Sequence, residues 1–189
     1  MSCKLPKKLK NSPFSFSQAT KIGLSRYDIN CLIEEEAIFR VDRGIYQPSD
    51  LDFSEENQFK LASLILGKDS AICLLSALSY YELTDVIPRK VWVMVPVNKR
   101  SMRKSLHLFR ARSPKWNVGI IKKSSFQITS LERTLIDCFL NDKYFSKTEI
   151  IHSIKESLRN RLTSGTKILK MSDQLGVKSK ILPYLEVII

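Results

Sequence analysis

The chain has 189 residues, 43% hydrophobic and 26% charged, which is enough apolar material for a packed core. Lys and Arg total 31 against 19 Asp and Glu, and the formal net charge of +12 points to a polyanionic partner. The longest uncharged, mostly apolar run covers only residues 70–81, too short to span a bilayer, and the basic N-terminus runs into Asn11-Ser12-Pro13, so neither a membrane span nor a secretory leader is expected.

In chain order, residues 1–12 read as a loose basic arm. Residues 14–22 have the pattern of a short helix, with Ser15 or Ser17 as its cap and Gly23 as its stop. Ser25 then caps a second helix over residues 26–36, with Asp28 in the place of a capping-box acid. Ile29, Leu32 and Ile33 are spaced to form one buried face of that helix. Two β-prone runs, residues 37–41 and 45–48, flank Asp42-Arg43-Gly44 as a hairpin. Helix, turn, helix, hairpin is the order of a winged helix-turn-helix, which is assigned to residues 1–50.

The acidic stretch 51–57 reads as a linker, and residues 58–189 as a second domain. Helical patterns at 58–67 and 74–83 precede strands at 91–95, 106–111, 118–121 and 126–129. Helices follow at 131–140, capped by Ser130, at 147–161 and at 167–175. The expected fold class is α+β: an N-terminal winged helix-turn-helix, then a mixed α/β domain with a small sheet and C-terminal helices.

The charge is unevenly placed. Residues 89–123 hold eleven basic residues and no acid, whereas residues 1–50 have a net charge of only +2. A face that is merely solvated usually mixes both signs, so this stretch suits a nucleic-acid surface. Its expected basic surface is Arg89, Lys90, Lys99, Arg100, Arg103, Lys104, Arg110 and Arg112. The aromatic residues among them, Trp92, Phe109 and Trp116 with His107, read as core residues of the small sheet rather than stacking platforms.

A recognition helix places its first turns in the major groove, while the preceding helix and the wing touch phosphate. The candidate DNA-binding residues are therefore Ser25, Arg26, Tyr27 and Asn30 on the second helix, Ser15, Ser17, Gln18 and Lys21 on the first, and Arg40 and Arg43 on the wing. Arg pairs with guanine and Asn with adenine. Glu34, Glu35 and Glu36 would repel phosphate, so only the front end of the second helix can face DNA.

The run FSFSQATKIGLSRYDINCLIEEEAIFRVDRGIYQPSD carries Arg40-Val41-Asp42-Arg43-Gly44-Ile45-Tyr46. Further on stand Leu75-Ser76-Ala77-Leu78 with Leu83-Thr84-Asp85 and Ile87-Pro88. After the strand end at residues 93–96 comes Ile128-Thr129-Ser130-Leu131-Glu132-Arg133-Thr134-Leu135-Ile136-Asp137. In this order and spacing the segments, together with the tail at residues 182–186, resemble the AbiEi-type antitoxins of type IV (abortive-infection) toxin–antitoxin systems. The likeness is good over residues 14–140 and looser elsewhere. One departure is Glu82, where that family commonly has Gly. The resemblance implies a cytoplasmic autorepressor that binds double-stranded DNA at its own promoter, often at inverted repeats. It also implies that the C-terminal region counters a nucleotidyltransferase-type toxin, without implying a stable complex.

No enzyme activity, cofactor or metal is expected. None of the 19 acids has a Lys two positions on, as a restriction-nuclease-like Mg²⁺ site would need, and no phosphate-binding glycine motif occurs. His107 and His152 have no metal-ligand spacing, and Cys3, Cys31, Cys73 and Cys138 are scattered without a C-x-x-C pair, as befits reduced cysteines. Arg133 and Asp137, four apart on a helix, read as an intrahelical salt bridge. A stand-alone regulator without a toxin, and a nuclease of unfamiliar site, are the alternatives.

Overall fold

Leu5 and Leu9 are both buried in a core with Phe14, Ile29, Leu32 and Ile38. The N-terminal stretch is therefore not a loose arm: Lys7–Lys10 form a short helix, α1, anchored by these two leucines. Burying one leucine contributes about 1.5–3 kcal/mol, ample to fix so short an element. The computed structural model describes residues 4–101 and 103–188, so Cys3 lies outside the described residues.

The chain is mixed α and β, with two sheets, and it divides into two units, Met1–Lys68 and Asp69–Ile189. In the first unit α1 is followed by β1 (Phe14–Ser15), α2 (Phe16–Lys21), α3 (Arg26–Glu34), β2 (Ile38–Asp42), β3 (Ile45–Pro48) and α4 (Glu55–Leu66). Its sheet is antiparallel in the order β1-β3-β2. Strand β1, at the start of what reads in sequence as a helix, places Phe14 against Tyr46, with ring centroids 5.8 Å apart.

Both α2 and α3 open with complete capping boxes. Ser15 accepts from the Gln18 amide and Ser25 from the Asp28 amide, and each partner's side chain reaches back to the serine amide. These contacts satisfy amide donors that a helix start otherwise leaves unpaired. The stretch 51–57 is not wholly a linker, because α4 begins at Glu55. The unit boundary falls after α4, between Lys68 and Asp69, whereas the sequence reading groups that helix with the second domain.

The second unit comprises β4 (Ala71–Ile72), α5 (Leu74–Tyr80), β5 (Val91–Pro96), β6 (Leu106–Ala111), β7 (Ile120–Lys122) and β8 (Gln127–Thr129). Helices α6 (Leu131–Leu140), α7 (Lys147–Arg159), α8 (Gly165–Leu175) and α9 (Lys178–Ile188) follow. The five strands run β6-β5-β4-β8-β7. The β5–β6 and β4–β8 pairs are parallel and the other two antiparallel. Helices α5 to α9 supply the rest of the core through Leu78, Leu135, Ile136, Ile154, Ile168 and Leu185.

Residues 128–137 form the junction of this unit. Thr129 ends β8, and its hydroxyl lies 2.7 Å from that of Thr134 and 3.3 Å from the Ile72 carbonyl of β4. Ser130 caps α6 by accepting from the Arg133 amide, and its own amide donates to Gly119. Arg133 pairs with Asp137 at 2.6 Å, both largely buried, and also donates to the Val118 carbonyl. The expected intrahelical salt bridge is present. Gly119 must be glycine: its φ is +71°, and a Cβ there would lie 2.9 Å from Met171 Sδ and 3.1 Å from Arg133 Cβ.

Glu82, at the end of α5, has φ +57°, a left-handed conformation that glycine adopts without strain. Exchanging Glu82 for Gly is therefore expected to stabilise the chain by roughly 0.5 kcal/mol, after the greater freedom of glycine in the unfolded chain is counted. A thermal melt checks this, and a lowered midpoint would contradict it.

Candidate nucleic-acid interface

Helix α3 separates its residues cleanly. Ile29 and Leu32 are buried, while Arg26, Tyr27 and Asn30 are exposed, Tyr27 at 77%. Successive helical residues turn by about 100°, which groups these three with Glu34 on the solvent side. Glu34 lies about 12 Å further along the axis than Arg26, at 1.5 Å per residue. The exposed face is thus cationic and polar at its N-terminal end and acidic at its C-terminal end.

The turn before α3 is fixed by Gly23, with φ +95°, and by the Ser25–Asp28 box. Hydrogen bonds from the Ser25 hydroxyl and amide hold the Asp28 carboxyl below its ordinary pKa. The guanidinium of Arg26 sits 5.7 Å from the centre of the Phe16 ring, which orients it. Sequence spacing cannot reveal that contact, because it joins two helices.

The ten candidate residues are not equivalent. Ser15, Gln18 and Ser25 are engaged in the caps, so their first role is to fix the helix starts. Ser17 and Lys21 are exposed on α2. On the hairpin, Arg43 is exposed at the turn, and its amide donates to the Asp42 carboxylate at 2.7 Å. Arg40 is exposed on β2, its Nε 3.4 Å from the Asp42 carbonyl. Lys7, Lys8 and Lys10 form an exposed cationic face on α1, which the sequence reading leaves out of the site. The usable signal was the i, i+4 spacing of Leu5 and Leu9, which folds this stretch onto the core.

The basic stretch of the second unit does not form one strip. Strand β6 lies at one edge of the sheet and β7 at the other. At about 4.8 Å per strand, the edges are about 19 Å apart. Arg89, Lys90, Arg103 and Lys104 precede the parallel strands β5 and β6, whereas Lys99, Arg100, Arg110 and Arg112 lie at their far ends or just beyond. Lys122, with Lys123 following it, belongs to the β7 edge. Lys99 and Arg103 are half-buried and the other six of the proposed surface are exposed.

Trp92 stacks on His107 with centroids 3.8 Å apart, and Tyr144 meets both rings edge-on. Phe109 packs against the core, as expected, whereas Trp116 lies half-buried in the turn between β6 and β7 and belongs neither to the sheet nor to the core cluster. Burial, with Lys90 and Lys143 nearby, lowers the His107 pKa. Burial also raises the Cys73 and Cys138 thiols far above their usual range, which makes them poor nucleophiles. Among the described residues, no group of three or more His, Cys, Asp or Glu could hold a metal ion. No helix among them is long and apolar enough to cross a membrane.

No protein-family model matches the chain, and no characterised protein matches its sequence.

Proposed function

We propose that this protein is a DNA-binding regulator whose first unit is a winged helix-turn-helix, with α3 as reader and the β2–β3 hairpin as wing. One observation carries the reading: the elements run helix, strand, helix, helix, strand, strand, with the first strand beside the third, and α3 presents Arg26, Tyr27 and Asn30 to solvent. In this reading Arg43 and the α1 lysines hold phosphate. The two units carry ten basic against nine acidic residues and 21 against ten, respectively, so bulk phosphate attraction falls to the second unit.

The motifs shared with AbiEi-type antitoxins support a more specific proposal. The chain represses its own operon and counteracts a nucleotidyltransferase-type toxin encoded beside it. Co-expression with the adjacent reading frame tests this, and rescue of growth is the expected result. Toxicity that persists at full expression would leave a regulator without a toxin.

DNA reading is tested by titrating the chain against duplex from upstream of its own gene, over a salt series. Exchanging Arg26 for Ala should cost about 1–3 kcal/mol on the preferred sequence and relax base preference. Exchanging Arg43 for Ala should weaken all sequences alike and lower the salt slope by about one. Equal binding to random duplex by the unaltered chain would overturn the reading.

A further inference from the structure

The second unit contains a half-open cleft of about 740 Å³ between the end of α5 and helix α7. Its floor is apolar, from Leu75, Leu83 and Ile150, and Trp92 with Tyr144 forms one wall. Glu82, Asp85, Glu149 and Glu156 also line it, and His152 is the sole basic-type side chain among its lining residues. Four carboxylates thus gather in a unit whose acids number only ten against 21 basic residues. One cation stands beside the aromatic wall, Lys143, whose ammonium lies 5.5 Å from the centre of the Tyr144 ring.

Phosphate is repelled from such a lining, so the cleft is not a continuation of a DNA surface. Its complement is a cation joined to an apolar body. The rim favours a polypeptide over a small polyamine, because Val86 lines the cleft at 58% exposure and Ile87 follows it at 87%. A polyamine has no branched apolar group to cover them, whereas a segment with alternating Lys or Arg and Leu does.

We propose that this cleft binds a lysine- or arginine-rich amphipathic segment of a partner protein. The cationic heads meet Glu82, Asp85 and Glu156, and the apolar groups cover the floor and Val86. Glu149 serves the arrangement differently, since its carboxylate is held by Ser146 in the cap of α7. This inference does not rest on DNA binding or on the antitoxin reading.

The test uses the full chain and a fluorescein-labelled twelve-residue peptide of alternating Lys, Leu and Arg, followed by anisotropy at physiological salt. The triple variant Glu82→Gln, Asp85→Asn, Glu156→Gln should weaken binding at least tenfold with an unchanged melting midpoint. A second variant, Val86→Ser with Ile87→Ser, should weaken the peptide severalfold but leave spermine binding unaltered. Equal peptide affinity in the triple variant, or no binding by the unaltered chain, would overturn the proposal. So would displacement of the peptide by spermine at equal concentration. Sedimentation of the unlabelled chain supplies the last arm: self-association abolished by the triple variant would make the occupant a second copy and overturn the assignment to a partner.

Discussion

Replacing Arg89, Lys90, Lys99, Arg100, Arg103, Lys104, Arg110 and Arg112 with Gln is expected to remove most of the chain's DNA affinity while leaving its sequence preference. In the proposed division of labour, α3 discriminates bases and the cationic unit holds phosphate. The first unit has ten basic and nine acidic residues, so it supplies little net attraction of its own. A protein making six to ten phosphate contacts loses about 10³–10⁵-fold in affinity between 50 and 200 mM salt, with a slope near 0.9 for each contact. The octuple variant should lose that slope in proportion to the contacts removed, and a titration in several salt concentrations reads it directly. Because β6 and β7 form opposite edges of the sheet, Lys122→Gln with Lys123→Gln serves as the comparison. It should change the slope far less if the DNA lies along the β6 edge. A slope unchanged in the octuple variant would move the phosphate contacts elsewhere, first to the α1 lysines.

The second large effect concerns Arg133. Its side chain is 6% exposed, and its guanidinium pairs with Asp137 at 2.6 Å and also donates to the Val118 carbonyl. Exchanging it for Met leaves a carboxylate buried with no cation beside it, which costs about 3–5 kcal/mol. For a chain of this size that lowers the melting midpoint by about 6–20 °C. Burial already holds the Asp137 carboxyl above its usual pKa, although Arg133 pulls the other way. Desolvation is the larger influence, because the Asp137 side chain is only 13% exposed. Removing the cation leaves burial unopposed and raises that pKa further.

The direction of the pH effect follows. A carboxyl whose folded pKa exceeds its unfolded value is penalised when ionised, so the deficit is full above the folded pKa and shrinks as pH falls through it. The Arg133→Met variant should therefore lose less stability at pH 5 than at pH 7, relative to the unaltered chain. The double variant with Asp137→Leu should recover much of the loss at both values, since replacing a buried pair by apolar groups is often near neutral. Denaturant melts at the two pH values decide it. A single variant within 1 kcal/mol of the parent would remove Arg133 from its place at the junction.

Strong local signals in the sequence match the structure closely. Ser25 with Asp28, and Ser130 before Leu131, mark helix starts where α3 and α6 begin. The runs around Val93, Leu108 and Ile128 become strands because each is β-rich and bounded by turn residues. Elements that hide are those too short or too masked to show a period. Strands β1 and β4 have two residues each, and no alternation can be read from two. Helix α1 is concealed by its lysines, which look like a solvated tail until Leu5 and Leu9 are paired. Helix α9 contains Pro183, a residue that ordinarily ends a helical pattern, yet Ile181 and Leu185 on either side are buried and hold it in place.

The candidate interface was legible as a list of side chains but not as a surface. Spacing identifies which α3 residues avoid the core, because Ile29 and Leu32 define the inward side. It marks Ser15 and Ser25 as caps, but it cannot show that Phe16 underlies Arg26. Nor can it show that a continuous basic stretch is divided between two edges, since chain order and strand order differ there. The acidic cleft escapes entirely, as its carboxylates come from residues 82–85 and 149–156, which only the packing of α5 and α7 unites.

The two-residue strand β4 also sets an order of events during synthesis. It lies inside the five-stranded sheet, and its neighbour β8 pairs with it through Ile72 and Ile128, 56 residues apart in the chain. The first unit needs no contact reaching beyond Lys68 to close its own sheet. Loop closure between distant residues is slow, and domains fold in turn as the chain emerges. The reader of the proposed regulator is thus finished while the unit that carries most of its charge still lacks half of its sheet, and a chain cut short there would possess selectivity without grip.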